Sequence, residues 1–157
     1  MSRPLLILLG LLVAGVYLRH CTRVPPDVQI VQPTLEGCGP AILAERRPIV
    51  LTERLADHGE LLNTVFKWTY LWSSGPSEVA PGEDGRASAW TRFTILYDPD
   101  KDVDVDIAPP TTSGSPTTSE DDKVRVRLRR SQTLVLPPSW RYSVSQPGCR
   151  AIRLTGL

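Results

Sequence analysis

The sequence predicts a mainly β fold, a sandwich or open barrel with one amphipathic helix, preceded by a short N-terminal apolar segment. Three observations predict it. Fifteen prolines in 157 residues cluster between apolar runs, which favours many short strands and turns over long helices. After residue 90, several stretches alternate apolar and polar side chains with a period of two. Residues 4–18, PLLILLGLLVAGVYL, carry no charge.

That first segment reads as an uncleaved signal-anchor over residues 1–19. Fifteen helical residues rise ~22 Å, short of a hydrocarbon core of ~30 Å. Snorkelling by Arg3 and Arg19, an interfacial Tyr17 and local thinning would close the gap. A cleaved signal peptide, releasing a secreted β domain, is the alternative, since its apolar region is often this short. No small-x-small site follows the run, and LRHC at 18–21 is a poor lipoprotein junction. The expected localisation is therefore a single-pass membrane protein anchored through residues 4–18. One arginine before the span and two after it leave the side open. Cys21, at the membrane edge, is a candidate for lipidation.

Residues 20–27 form a spacer stiffened by Pro25-Pro26, and residues 28–157 are expected to make one β domain. Within it, VQIVQ (28–32) reads as a short strand. PAILAER (40–46) reads as one or two helical turns opened by proline, and PIVL (48–51) as a buried strand. Asp57 and Glu60 make a capping-box pattern ahead of Leu61, Leu62, Val65 and Phe66, with Trp68 and Leu71 near the end of that amphipathic helix. Ser73-Ser74-Gly75-Pro76 is expected to stop it, and residues 74–88 to be a mobile polar loop.

Phe93, Ile95 and Tyr97 then alternate with Arg92, Thr94 and Leu96, and Asp98-Pro99-Asp100 makes a turn. In KDVDVDI (101–107) the apolar face is Val103, Val105 and Ile107; in KVRVRLRR (123–130) it is Val124, Val126 and Leu128. An antiparallel register that sets Asp102, Asp104 and Asp106 against Arg129, Arg127 and Arg125 makes one face apolar and the other a row of ion pairs. Each exposed pair is worth about 0.2–1 kcal/mol, but a one-residue slip would turn charge into the core. The low-complexity connection, 108–122, is expected to be mobile. TLVL (133–136), WRYSV (140–144) and AIRL (151–154) supply further strands, and Pro137-Pro138 marks an edge or corner.

Residues 133–144, TLVLPPSWRYSV, resemble the last motif of JmjC-like cupins, which runs roughly Gly-Asp-x-Leu-x-x-Pro-x-x-Trp-x-His-x-Val. Here Ser131-Gln132 replaces the Gly-Asp pair, and Tyr142 stands in place of the histidine. ERRPIVLTERL (45–55) is similar to the segment with which such domains enter their jelly roll. The resemblance implies a cupin-like jelly roll whose degenerate pocket would be lined by Trp140 and Tyr142. With its short apolar leader, RRPIVL and LPPSWRY, the chain also resembles membrane-anchored proteins of large DNA viruses.

The residues argue against the oxygenase chemistry of that family. A non-haem iron site needs two histidines and a carboxylate. The chain has only His20, beside the apolar run, and His58, and no His-x-Asp/Glu motif. No metal or other cofactor is expected. Alternate aspartates on a strand stand ~6–7 Å apart, whereas hard cations are wrapped by loops. A net charge of +1 supplies no general attraction to nucleic acid. Cys38 and Cys149 both lie in glycine-proline turns; they pair in an oxidising compartment or stay thiols in a reducing one. Trp72 and Trp90, flanking the polar loop, are candidate anchors for a protein partner.

The resulting expectation is a non-enzymatic, membrane-anchored β domain serving as a structural or protein-interaction component, a viral membrane being one setting. The alternatives are a small-ligand-binding or catalytic cupin-like domain without a histidine metal site, and the secreted domain.

Overall fold

The computed structural model describes residues 3–22, 28–34, 36–52, 63, 66, 71–82, 85–86, 91–98, 100–110 and 123–156. Among the described residues two helices have described bounds, α1 (Arg3–Thr22) and α2 (Pro40–Ala44), the second opened by a proline at its start. Nine strands follow: β1 (Ile49–Leu51), β2 (Leu71–Glu78), β3 (Gly85–Arg86), β4 (Thr91–Tyr97), β5 (Val103–Ala108), β6 (Val124–Leu128), β7 (Thr133–Leu136), β8 (Arg141–Val144) and β9 (Arg150–Gly156).

They form two antiparallel sheets, one of five strands in the order β1-β7-β4-β9-β2 and one of four in the order β3-β8-β5-β6. The partners nest. β5 pairs with β6, β4 with β7, β3 with β8 and β2 with β9. The chain changes sheets between β4 and β5 and between β7 and β8, so Pro137-Pro138 sits at a corner, where its missing donors cost no ladder bond. Asp98 makes the other corner. Its Oδ1 accepts the backbone N–H groups of Asp100 at 2.9 Å and Lys101 at 3.2 Å, the local turn that aspartate favours.

The sandwich interior is one apolar cluster. It includes Leu96, Val103, Val105, Ile107, Val126, Leu128, Leu134, Leu136, Trp140, Tyr142 and Val144. A second cluster covers the opposite face of the five-stranded sheet, where Cys38, Leu43 and Phe66 pack on Ile49, Ile95, Val135, Ile152 and Leu154. β1 and β7 are consequently buried at every position, and apart from Thr133 both read as apolar runs. The four-stranded sheet has only one covered face, so β5 and β6 alternate. Their register sets Val103 against Leu128, Asp104 against Arg127, Val105 against Val126, Asp106 against Arg125 and Ile107 against Val124.

The sequence expectations are corrected at two places. Leu71 does not end a helix, and residues 74–78 are not loop: β2 runs through Ser73-Ser74-Gly75-Pro76. Gly75, at φ 74°, sits where the register with β9 shifts between Ser73 and Pro76. β2 lies at the sheet edge, where a glycine bulge and a proline without a donor are both tolerated. The 28–32 strand reduces to an isolated parallel bridge between Val31 and Ile49. No helix among the described residues is long and apolar enough to cross a membrane. The helix expected from Asp57 lies largely outside the described residues, as do residues 111–122 of the second loop.

Candidate functional site

The outward face of the four-stranded sheet carries the charged ladder. Asp106 accepts two hydrogen bonds from Arg125, from Nε at 2.7 Å and Nη2 at 3.0 Å. The Arg125 hydrogen bonds hold the Asp106 carboxyl below its ordinary range, against the opposing effect of burial, and Asp106 raises Arg125 in turn. The next contact runs diagonally. Arg127 Nη2 lies 3.7 Å from Asp102, although Asp104 is the residue facing it across the ladder. Asp102 does not take Arg129 as the straight register would have it; its Oδ1 accepts the backbone N–H of Arg130 at 3.0 Å. β5 begins at Val103, so Asp102 lies beyond the ladder and is free to cap the turn after β6. Both arginines are mostly exposed, at 69% and 71% of their side chains. This arrangement fixes register and presents alternating charge to solvent.

Trp140 and Tyr142, placed by the resemblance at a degenerate pocket, are packed into the sandwich interior with 1% and 2% exposure. β3 lies against Tyr142, with Gly85 opposite it in the register. A Cβ at Gly85 would stand 2.8 Å from the ring carbon Cε1 and closer still to Cζ and Cε2. The ring thus takes the space in which any other residue at 85 would place its side chain.

Cys38 and Cys149 are both buried, free thiols in the structure. They belong to the two different apolar clusters, Cys38 to the outer one and Cys149 to the interior. Burial raises the Cys38 thiol. Burial, and next the Asp98 carboxylate, push Cys149 up to about 11. Neither environment makes a nucleophile, since the reactive thiolate is the form that burial disfavours. Among the described residues, no group of three or more His, Cys, Asp or Glu is placed to hold a metal ion.

Sequence reasoning missed the Asp98 corner. Asp98 is 2% exposed, and its Oδ2 has no hydrogen-bond partner. That oxygen and the end of the Lys101 side chain both border the space beside Gly148, which sits at φ 107°. Only the Asp-Pro-Asp turn signal pointed there, and a turn signal does not reveal burial.

Trp72 stands 64% exposed on the edge strand β2. Thr155, its partner in the register, donates from Oγ1 to the Trp72 carbonyl at 3.4 Å. Trp90 and the side chain of Cys21 lie outside the described residues. Among the described residues, the other large exposed apolar side chains are on α1: Leu5, Leu6, Ile7, Leu8, Leu9, Leu11, Leu12, Val13 and Val16.

No family model matches the chain, and no curated protein does. Among solved structures, the chain is similar to Streptomyces albus HEPD with its substrate 2-hydroxyethylphosphonate and Fe(II) bound. The identity is 17% and the TM-score 0.37, over 55% of this chain and 18% of that one, so the chain spans less than a fifth of the similar protein's length. The expectation that this chain is not an enzyme is corrected here: the similar structure holds a substrate and Fe(II). The scarcity of histidine argues against iron ligation alone.

Proposed function

We propose that the chain is a cupin-like jelly-roll head held at a membrane by α1, with the exposed edge around Trp72 as its contact for a protein partner. The jelly-roll reading is supported by the nested pairing, β2 with β9 inward to β5 with β6, in which a long antiparallel ribbon is rolled into two sheets. The membrane reading is carried by one observation. From Pro4 to Val16 every residue of α1 is exposed, and none of these is charged or strongly polar.

Nine large apolar side chains in water are costly, because each fully buried side chain of this kind is worth about 1.5–3 kcal/mol. A helix that packs on a domain shows a polar stripe on its other side, and this one has none. Gly10 and Gly15 have nothing within 4 Å of where a side chain would begin. A solvent that surrounds the whole cylinder answers that surface, and lipid is such a solvent. Trp72 adds the partner contact: an isolated exposed tryptophan on an unpaired strand edge has the amphipathic area that interfaces favour.

The test is flotation of the full chain with phosphatidylcholine vesicles on a density gradient. Recovery with the vesicles supports the reading. Recovery at the bottom of the gradient, as folded monomer, contradicts it.

A further inference from the structure

The uniform apolar surface of α1 also says which hydrocarbon layer it fits. An interfacial helix lies flat because one side is polar and stays at the headgroups. α1 has no such side from Pro4 to Val16, so lying flat would leave apolar surface in water whichever way the helix turned. Standing upright is the orientation that covers all of it. Its length then sets the match.

The helix runs 20 residues from Arg3 to Thr22. Its uncharged run begins at Pro4 and ends before Arg19, a rise of ~22 Å. Hydrocarbon cores of ~27 Å, as in the endoplasmic reticulum, exceed that run by ~5 Å, and cores of ~32 Å, as in plasma membranes, by ~10 Å. A short helix is accommodated by thinning the bilayer and by snorkelling of its flanking residues, both of which become costlier with each ångström.

We infer that α1 discriminates between membranes by thickness and inserts into bilayers with thin hydrocarbon cores in preference to thick ones. The inference rests on the membrane reading above.

The experiment uses the full chain, synthesised in the presence of vesicles of phosphatidylcholine with 14-, 18- or 22-carbon monounsaturated chains. Its readout is the fraction that stays with the vesicles after alkaline carbonate extraction. Retention is expected to fall at least threefold from the 14-carbon to the 22-carbon vesicles. A variant with four leucines inserted after Leu12 is expected to lose that dependence or to favour the thicker vesicles. Equal retention in all three vesicles, or more in the thickest, overturns the thickness inference and leaves the anchor standing. Retention in none overturns both.

Discussion

Gly85 faces Tyr142 across the β3–β8 ladder, and the tyrosine ring occupies the place where a side chain at 85 would begin. Gly85→Ala should therefore force the ring or the strand to move, at a cost of about 1–3 kcal/mol for overpacking. Combining Gly85→Ala with Tyr142→Leu should recover part of that loss. Urea unfolding of the four chains in a double-mutant cycle measures the coupling, and strict additivity would show that the two residues do not compete for space.

The Asp106–Arg125 pair is a second site for a cycle, with a smaller expected effect. Arg125 is largely exposed, so truncating either partner should cost only about 0.2–1 kcal/mol. The sign with pH follows from the lowered Asp106 carboxyl. A carboxyl depressed in the folded state stabilises the protein above its unfolded pKa, and loses that contribution as pH falls through the folded value. Unfolding curves should show the wild type losing its advantage over Asp106→Asn on acidification and keeping it at neutral pH.

Cys149 predicts the opposite slope at the alkaline end. Its thiol is raised from 9.0 to about 11, so the folded state holds its proton longer than the unfolded chain. The contribution is fully present below pH 9.0 and is lost as pH rises toward 11. Two pH units correspond to about 2–3 kcal/mol. Cys149→Ala should be less stable at neutral pH because it leaves a cavity, but should lose this part of the alkaline decline. Thiol titration with and without denaturant gives a check on burial: Cys38 and Cys149 should react only once the chain unfolds.

Trp72 should matter little to the fold and much to recognition. Its exposure places Trp72→Ser within about 0.5 kcal/mol of the wild type in stability. Crosslinking from position 72 in a membrane extract should give a discrete adduct that competes away with unlabelled protein. A diffuse smear, unaffected by competitor, would contradict the partner contact.

Much of the sandwich was legible because its outer sheet is covered on one side only. The aspartates of β5 and the arginines of β6 could sit only on the open face, and that requirement specifies the register down to Asp106 opposite Arg125. TLVL was legible as a strand for the opposite reason: β7 is buried at every position, and after Thr133 its residues are all apolar. β2 was not legible. Its Ser73-Ser74-Gly75-Pro76 sequence is written in turn residues, and only the edge position and the bulge against β9 make it a strand. The Asp98 corner was hidden because burial arises from the meeting of two distant turns, Asp98–Lys101 and Gly148. Tyr142 was legible as a departure from the cupin motif, but its contact with Gly85 depends on a two-residue strand that no periodicity announces.

The most direct test of the central claim is to place charge on α1 while leaving the sheets alone. Leu8→Glu with Leu12→Glu puts two carboxylates one turn apart at positions that are 67% and 61% exposed. The doubly substituted full chain should keep the far-ultraviolet spectrum and unfolding midpoint of its β domain, yet stay at the bottom of a gradient in which the wild type floats with vesicles. Flotation of the variant alongside the wild type would contradict the account.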